Sequence, residues 1–440
     1  MQRSTIGKIE NSLKNCHEYL PGAVSSMNRL VSPSIGFERG DGAYMWDSDG
    51  KKYTDFHAAF APHLLGHNNK EVNDAVIETI GKQRSLFGSG PVALEGELAA
   101  LLCTEIAALE KVTFLNTGSE ATALAVKLSR AVTGRDHFIV VQGSYNGNTD
   151  ELACNVFNTL EEIGPRVSPG EYPIRPLGAG TVIDQQRLVH VVNFNDLDSI
   201  RYVCSRYPVA AVITEPVLQN IGVVKPDDGY LAGLRALADE LGFLMIMDEV
   251  KTGFRQGVGG YAAVADVSPD LFTYGKAVAN GFPIAILGGK SKYMDVLASP
   301  DLSRRPLVAG TYNGHPVGVA AAIATVNILK SQGEVIFSHL EKLGALAEQG
   351  IMDVLAARGV AGVVARVGSA FSFYFMDHAP RDFHDLLVNH DFDRDVEVRR
   401  KMIGEGAYLV PVATKQCSIS AAHTEGDIEF MVERFAAALR

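Results

Sequence analysis

Short apolar runs that alternate with helical stretches constrain the fold of this chain more than any other feature. The strand-like runs span residues 112–115, 138–141, 209–214, 243–247 and 271–274. An amphipathic helical pattern follows the first run, and a helical segment from Tyr230 to Leu241 separates the third run from the fourth. Alternation at this spacing is typical of a mostly parallel sheet covered by helices. The sequence therefore predicts an α/β protein.

Polar or charged side chains follow three of these predicted strands. Glu215 and Asp248 come directly after apolar runs, and Lys276 lies two residues past the run 271–274. The carboxyl ends of parallel strands meet at one edge of a sheet, and α/β proteins bind their ligands beyond that edge. We therefore expect these residues to take part in the chemistry of the protein.

The organisation of the chain predicts two domains. Residues 61–315 contain the strand and helix alternation and form the large domain. Residues 1–60 carry a turn-rich strand pattern. Residues 316–440 begin with a helix rich in small residues, Val317 to Leu329, and include a strand-like run from Phe371 to Phe375. We expect both ends of the chain to contribute to a smaller α/β domain.

Charge and cysteine content argue against several classes of protein. The 40 basic and 51 acidic residues give a formal net charge of −11, which disfavours nucleic acid as a partner. The five cysteines are odd in number and contain no C-x-x-C pair, which disfavours a disulfide framework and a structural zinc site. No apolar run approaches the ~18 residues of a membrane span, and the N-terminus lacks the apolar segment of a signal peptide. We expect a soluble, cytoplasmic protein without membrane partners.

Lys276 and Asp248 together suggest one particular cofactor. A lysine removed from bulk water is an amine nucleophile that forms a Schiff base with an aldehyde. Enzymes that use pyridoxal 5'-phosphate need such a lysine, and they need a carboxylate that keeps the pyridine nitrogen protonated. Taken singly, Lys276 is more often a surface lysine and Asp248 is more often an acid at a strand end.

The turn between a predicted strand and helix, Asn116 to Ala121, supplies a third element. Gly118 permits close approach of the backbone, and Ser119 offers a hydroxyl and an amide at a helix N-terminus, where phosphate is favoured. A serine at this position is otherwise a helix cap without a ligand. Tyr145 follows the next strand and could stack on a flat ring. The four elements in this order are far more specific than any one of them.

On these residues the chain resembles the class III aminotransferases of fold type I, which depend on pyridoxal phosphate, and most closely the glutamate-1-semialdehyde aminomutase branch. The resemblance covers nearly the whole chain. The segments that carry it are Pro21–Ser26, Gly42–Asp47, Asp49–Gly50, Leu65–His67, Asp248–Val250, Thr252–Arg255, Gly310–Pro316 and Ala422–Glu425. It implies a large cofactor-binding domain and a small domain built from both chain ends. Because the residues between His63 and His67 match a family loop, we expect these histidines to bind no metal.

The resemblance implies roles for the residues around the cofactor ring. Lys276 would hold the cofactor as an internal aldimine and would then act as acid and base at the substrate carbon. Asp248 would pair with the pyridine nitrogen. Val250 would pack against the ring face opposite Tyr145. Lys276, Asp248 and Tyr145 are the predicted catalytic residues, and Val250 is a predicted cofactor-binding residue.

The resemblance also implies roles at the phosphate and at the substrate entrance. Gly118 and Ser119 would bind the phosphate, and Thr311 would add a phosphate contact from the neighbouring subunit, which implies a homodimer with shared active sites. Glu215 and Asn220 match a loop close to the cofactor. Two residues match positions that line the substrate entrance, Ser26 and Phe60.

Differences from the branch bear on the substrate. Asn146 stands where the family usually has histidine, Lys251 where the branch typically has methionine, and Lys415 where it has glutamate. Residues 277–281 replace a glycine-rich run. The two lysines allow two interpretations. They are solvated surface lysines, or one or both add positive charge for an acidic substrate, a carboxylate or a phosphonate. Lys415 is our candidate for a substrate-binding residue.

We therefore predict an aminotransferase that acts on a small, acidic amino acid or amine. Because transamination and elimination share a carbanion, the alternative is an ammonia-lyase or aminomutase that acts on an amino acid, an amino alcohol or an aminophosphonate. A non-catalytic relative that keeps the fold for binding is the alternative from another class. The presence of Lys276, Asp248 and the pair Gly118–Ser119 argues against it.

Overall fold

The computed structural model of the protein describes residues 14–84 and 90–440. The strands in chain order are β1 (Phe37–Asp41), β2 (Tyr44–Asp47), β3 (Lys52–Asp55), β4 (Lys111–Leu115), β5 (His137–Val141), β6 (Val189–Val192), β7 (Val209–Thr214), β8 (Leu244–Asp248), β9 (Leu271–Tyr274), β10 (Ala285–Gly289), β11 (Val363–Val367), β12 (Ala370–Tyr374), β13 (Ala407–Tyr408) and β14 (Cys417–Ser418). The helices are α1 (Lys70–Gly81), α2 (Ala93–Glu105), α3 (Gly118–Thr133), α4 (Leu160–Ile163), α5 (Ile183–Gln186), α6 (Leu197–Cys204), α7 (Tyr230–Leu241), α8 (Gly260–Val264), α9 (Ser291–Met294), α10 (Pro316–Arg358), α11 (Phe383–Asn389), α12 (Phe392–Gly404) and α13 (Glu425–Ala438). Short 3-10 turns cover Pro21–Ala23, Met27–Arg29, Lys276–Ala279 and Asp295–Ala298.

A seven-stranded sheet forms the centre of the molecule, in the order β4-β10-β9-β8-β7-β5-β6. Strands β9, β8, β7, β5 and β6 pair in parallel, and β10 runs antiparallel to both of its neighbours. All residues of β7 and β8 are buried, as expected when helices cover both faces of a parallel sheet. The predicted α/β architecture with a mostly parallel sheet is confirmed.

Strand β10 has no counterpart among the predicted strands. It ends in two glycines, a residue type that is depleted in strands. In the sheet, however, a Cβ atom on Gly289 would lie 2.3 Å from the carbonyl oxygen of Asp270, and one on Gly288 would lie 2.9 Å from Cγ1 of Val112. Glycine is therefore required here by close packing within the sheet, rather than by a turn.

Helix α3 begins at the edge of the sheet where the ligand crevice is expected. Thr117 caps it, because its Oγ1 accepts a hydrogen bond from the backbone N–H of Glu120 at 3.2 Å. The Glu120 carboxylate in turn accepts from the backbone of Thr117 at 3.0 Å, which completes a capping box. The helix ends at Gly134, whose left-handed backbone (φ 67°) is the usual C-terminal signal. The cap fixes the backbone at the helix N-terminus, which faces a cavity at this edge of the sheet.

Two small sheets lie outside the central one. Strands β1, β2 and β3 form an antiparallel group, and β13 pairs in parallel with β3. Strands β11, β12 and β14 form the other sheet. Residues from both ends of the chain thus share one sheet. The domain boundaries at residues 60 and 315 stay predictions.

Helix α10 spans the central sheet and the C-terminal region. It begins at Pro316 behind the cap His315 and runs for 43 residues, about 65 Å at 1.5 Å per residue. The sequence pattern predicts this helix only from Val317 to Leu329, and Gly333 lies in the polar stretch that follows. That glycine is buried, and the helix continues because its second half packs against α13 and β11. Within the described ranges, no helix combines the length and the apolar character needed to span a bilayer.

Candidate active site

A cavity of about 280 Å³ lies at the edge of the central sheet where the parallel strands end. Residues that follow β4, β5, β8 and β9 line it. The predicted site residues among them are Gly118, Ser119, Tyr145, Asp248, Val250 and Lys276. The structure therefore brings together side chains from four separate segments of the chain.

Lys276 lies two residues past the end of β9, and its backbone is strained. Its φ of 48° falls in the left-handed region, which few residues other than glycine adopt and which is typical of functional sites. Burial lowers the pKa of its amine, although the carboxylates of Asp248 and Glu215 oppose this effect. Within residues 14–84 and 90–440, no side chain or backbone group forms a hydrogen bond with Nζ of Lys276. The amine is therefore free to react with a ligand in the cavity.

Asp248 is the last residue of β8 and is only 3% exposed. Its Oδ1 accepts hydrogen bonds from Thr273 Oγ1 at 2.9 Å and from the backbone N–H of Val250 at 3.1 Å. Its Oδ2 accepts from Nδ2 of Asn146 at 2.8 Å. Burial raises the pKa of the carboxyl, while these three bonds and the charge of Lys276 lower it. The carboxylate is held in one orientation by groups that favour its charged form.

Two of the residues that orient Asp248 were not predicted. Thr273 is a polar residue in the otherwise apolar strand β9 (Leu271–Tyr274). This exception is visible in the sequence alone and could have identified the residue. Ser144 donates a hydrogen bond from Oγ to Oδ1 of Asn146 at 3.1 Å and fixes the amide. No local pattern marks Ser144, because the group that donates to its Oγ, the backbone N–H of Glu215, is 71 positions away in the chain.

The N-terminus of helix α3 forms the second half of the cavity. The backbone N–H groups of Gly118 and Ser119 belong to the first turn, where no carbonyl of the helix can accept from them. The backbone N–H of Asn148 donates to Oγ of Ser119 at 3.2 Å, which leaves the hydroxyl hydrogen available to a ligand. A Cβ atom on Gly147 would lie 2.9 Å from Cα of Ser119. Two free amides, a hydroxyl and the helix dipole make this turn suitable for a phosphate.

Tyr145 and Val250 provide the apolar part of the cavity. The backbone N–H of Tyr145 donates to Oε1 of Glu215 at 3.0 Å, which anchors the segment after β5 to the segment after β7. Val250 is held close to Gly118, where a Cβ atom would meet its Cγ1 at 3.0 Å and its Cγ2 at 3.1 Å. A reactive amine, a buried carboxylate, a phosphate cradle and two flanking side chains match the four parts of pyridoxal phosphate. The residues present therefore fit this cofactor.

Glu215 and Asn220 are joined by a hydrogen bond in the loop after β7, next to the cavity. Glu215 is 1% exposed and accepts a hydrogen bond from Nδ2 of Asn220 at 2.9 Å, and its other oxygen accepts from the backbone N–H of Gln219 at 3.0 Å. The carboxylate thereby organises the loop after β7. Neither residue is among those that line the cavity.

Lys251 and Lys415 both donate to this loop. Nζ of Lys251 lies 2.6 Å from the carbonyl oxygen of Gln219, and Nζ of Lys415 lies 3.0 Å from that of Asn220. Lys251 is 7% exposed and Lys415 is half-buried, with its ammonium 4.1 Å from the centre of the Phe157 ring. The interpretation of both as solvated surface lysines is therefore wrong. The burial follows from contacts with the loop after β7, which the local sequence does not indicate.

Three other predicted residues lie apart from the cavity wall. Thr311 is exposed, and Ser26 is half-buried at the start of the turn Met27–Arg29. Phe60 belongs to residues 58–61, four successive non-glycine residues with φ between 50° and 80°. Such a left-handed turn costs roughly 1–2 kcal/mol per residue and persists only where surrounding contacts fix it. One such contact is the hydrogen bond from Arg255 to the carbonyl oxygen of Ala61, at 2.9 Å.

Comparison with known proteins agrees with this geometry. A model of the family described as Aminotransferase class-III matches residues 26–439. Glutamate-1-semialdehyde 2,1-aminomutase of Syntrophomonas wolfei is 35% identical over 422 residues, which cover 94% of this chain and 93% of the relative. An omega-transaminase from Sphaerobacter thermophilus superposes with a TM-score of 0.89 at 28% identity and covers 98% of this chain and 97% of that one. A transaminase solved with PLP bound has a TM-score of 0.84 at 25% identity, and the match covers 99% and 97% of the two chains.

Proposed function

The chain belongs to the class III aminotransferases, which depend on pyridoxal phosphate, and from that premise we propose that it transfers the amino group of a small, acidic amino acid or amine. The observation that carries the proposal is the position of Lys276, a free amine in a strained backbone that shares one cavity with Asp248 and the N-terminus of α3.

The cofactor, when bound, supplies an electron sink for the negative charge that develops at the substrate carbon. Lys276 removes a proton from that carbon and returns one, and the lowered pKa of its amine favours the neutral form that acts as a base. Asp248 holds the proton of the ring nitrogen, because its carboxylate is buried and oriented by three hydrogen bonds. Tyr145 and Val250 orient the ring, and Gly118 with Ser119 binds the phosphate.

Several further residues belong to the proposal. Glu215 and Asn220 hold the loop beside the cofactor, and Lys415 attracts the acidic group of the substrate. Ser26 and Phe60 lie along the route by which substrate enters. Thr311 contacts the phosphate bound by a second protomer, so the active unit is a homodimer. An exposed position for Thr311 within one protomer supports this assignment. We place the enzyme in the cytoplasm, where its free cysteines stay reduced.

The second candidate is an aminomutase or an ammonia-lyase. The relative from Syntrophomonas wolfei, named as an aminomutase, is a specific observation in its favour. Against it stand the residues at positions 146, 251 and 415, which differ from those typical of the aminomutase branch. Because all these reactions begin with the same proton transfer at Lys276, the outcome depends on how the substrate is held.

One experiment separates these reactions. The holoenzyme is mixed with a panel of amines in the absence of a carbonyl acceptor, and the cofactor absorbance and free ammonia are followed together. Transamination predicts a single-turnover change to the pyridoxamine form with no continued ammonia release. Continuous ammonia release with the original absorbance retained would instead assign elimination. Conversion of an amine to its isomer would assign an aminomutase, and a protein that binds no cofactor would overturn all three.

A further inference from the structure

An excess of positive charge is enclosed beside the cavity. Lys251 and Arg255 are 7% and 4% exposed, and Lys415 is half-buried. Burial is the main cause that lowers the pKa of Lys251, and the charges of Lys276, Lys415 and Arg255 lower it further. The three cations are close enough to influence one another's charge state, although they come from two distant parts of the chain.

All three cations have neutral hydrogen-bond partners. The two lysine ammoniums donate to main-chain carbonyl oxygens of the loop after β7. Arg255 donates to the carbonyl oxygen of Ala61 at 2.9 Å and to Oγ of Ser369 at 3.2 Å, and its Nε is buried without a partner. None of the three forms an ion pair with an acid in the part of the chain that the structure describes. Buried charges are normally paired, so this arrangement calls for an anion that is not part of the protein.

The acids nearby do not supply that anion. Glu215 acts electrostatically on both lysines, and its carboxylate already accepts hydrogen bonds from Tyr145, Gln219 and Asn220. Asp248 faces Lys276. When both lysines are protonated, three cations against the single charge of Glu215 leave an excess of two positive charges. Each ammonium also has two N–H donors beyond the one that it uses.

The lowered pKa values of the two lysines agree with a subsite that binds an anion. Burial is the main cause that lowers the pKa of Lys415, to about 7, and it lowers the pKa of Lys251 well below its ordinary value. An ammonium that is desolvated and surrounded by like charges loses its proton until an anion is present. Binding of an anion is therefore expected to draw protons onto these amines.

We propose that Lys251 and Lys415, supported by the charge of Arg255, bind a phosphoryl dianion of the amine substrate, either a phosphonate or a phosphate ester. This inference rests on the proposed function and adds the chemical class of the acidic group. A dianion balances the two excess charges, whereas a carboxylate or a sulfonate balances one. Four free N–H donors on two separate ammoniums suit a tetrahedral group with three oxygens better than a flat carboxylate, which an arginine fork would hold in a bidentate pair.

The inference is tested first by binding, without any reaction. The holoenzyme, in which cofactor phosphate already fills the α3 site, is titrated in a calorimeter with four unreactive anions: ethylphosphonate, ethyl phosphate, ethanesulfonate and propionate. At a pH where the first two are dianions, we expect one or both to bind about tenfold or more tightly than the other two. The sulfonate is tetrahedral like the phosphoryl anions but carries a single charge. Its affinity therefore shows whether the shape or the charge of the anion decides binding. Comparison of the first two identifies the source of the dianion. Equal affinity for all four anions overturns the inference.

Variants then assign the binding to the lysines. Lys251→Met and Lys415→Met remove one charge each, and each is expected to weaken dianion binding about tenfold or more, as for loss of a charge-assisted hydrogen bond. Lys127→Met, at an exposed position on α3, is the matched control and keeps the affinity of the parent. Proton uptake, measured in buffers of different ionisation enthalpy, is expected to fall in both variants. Unchanged affinity in both folded, cofactor-loaded variants would contradict the assignment.

Reaction with substrates separates this inference from the proposed function. The amines are 2-aminoethylphosphonate, O-phosphoethanolamine, taurine and β-alanine, which share a two-carbon amine and differ in the acidic group. A higher rate for the phosphoryl amines supports both proposals. If β-alanine or taurine reacts as well, the anion subsite is wrong while the reaction stands. If no amine changes the cofactor absorbance although ethyl phosphate binds, the proposed function fails and the subsite stands.

Discussion

Asn146 donates a hydrogen bond from Nδ2 to Oδ2 of Asp248 over 2.8 Å, and both side chains are almost fully buried. The amide cannot rotate freely, because Ser144 donates to its Oδ1 at 3.1 Å and itself accepts from the backbone N–H of Glu215 at 3.1 Å. The donor at Asp248 is therefore neutral and fixed. A histidine at this position would change its charge near neutral pH, whereas an amide keeps the environment of the carboxylate constant.

Asn146→Leu is expected to lower kcat/KM by about tenfold to a hundredfold. The buried carboxylate of Asp248 would lose a hydrogen bond to a charged group, worth about 1.5–3 kcal/mol. The pKa of Asp248, which burial already raises, would rise further, so the pH at which the cofactor absorbance changes is expected to shift. Asn146→His, which restores a ring donor, is expected to recover most of the activity. An unchanged pH titration of the absorbance in Asn146→Leu would contradict the role assigned to the amide.

Gly118→Ala is expected to weaken cofactor binding. A Cβ atom there would press on Val250 at 3.0 Å and 3.1 Å, and the valine would have to move from the position proposed for it against the ring. The dissociation constant of the cofactor, measured by absorbance or fluorescence after dialysis, is expected to rise. The matched control is Gly96→Ala in helix α2, where a Cβ atom meets nothing within 4 Å. That change is expected to stabilise the protein by about 0.4–1 kcal/mol with cofactor affinity unchanged. Equal affinity in both variants would contradict the argument.

Lys276→Ala is expected to abolish amine transfer and covalent attachment of the cofactor. Reduction of the parent protein with borohydride should leave the cofactor on the peptide that contains Lys276, and mass spectrometry identifies that peptide. Lys127→Ala serves as the control, because this lysine is exposed on the same helix that carries the phosphate cradle. A label on any other lysine of the parent protein would show that Lys276 is not the reacting amine.

The rate with an acidic amine is expected to depend on the titration of Lys415. The pKa of this lysine is lowered to about 7, so its positive charge is present below that pH and is lost as the pH rises through it. Because kcat/KM reports the free enzyme, its value for an acidic amine should fall above pH about 7 relative to that for an uncharged amine. In Lys415→Arg the charge persists, and the fall in this ratio should disappear. A ratio that does not change with pH in the parent enzyme would contradict the assignment.

Asp395→Asn is expected to destabilise the fold by about 3–5 kcal/mol, the cost of leaving a buried charge without its partner. Asp395 accepts from Arg399 at 2.6 Å and from the backbone N–H of Thr414 at 2.6 Å, and both acid and arginine are fully buried. Denaturant unfolding measures the loss. Because Thr414 precedes Lys415, the KM for an acidic amine is expected to rise as well. Asp136→Asn, at an exposed position, is the control and should change stability by less than about 0.5 kcal/mol.

Much of the cofactor site could be predicted from local patterns. Lys276, Asp248 and the pair Gly118–Ser119 each stand just past a strand, and their position in the cavity follows from the meeting of parallel strand ends at one edge. Thr273 was within reach of the same reasoning, because it interrupts an apolar strand. The antiparallel strand β10 and the full length of helix α10 were not, since Gly289 in β10 and Gly344 in α10 are explained by close contacts with the backbone of Asp270 and Gly368, elsewhere in the fold.

The sequence by itself determined five strands of the central sheet and the residue types that follow them, because both are properties of neighbouring positions. The tertiary structure decided which charges are buried. Lys251 bonds to a residue 32 positions away, and Lys415 bonds to one 195 positions away, both on the loop that Glu215 organises. Burial and charge balance depend on everything that packs around a side chain, so no local pattern distinguishes these two lysines from solvated ones.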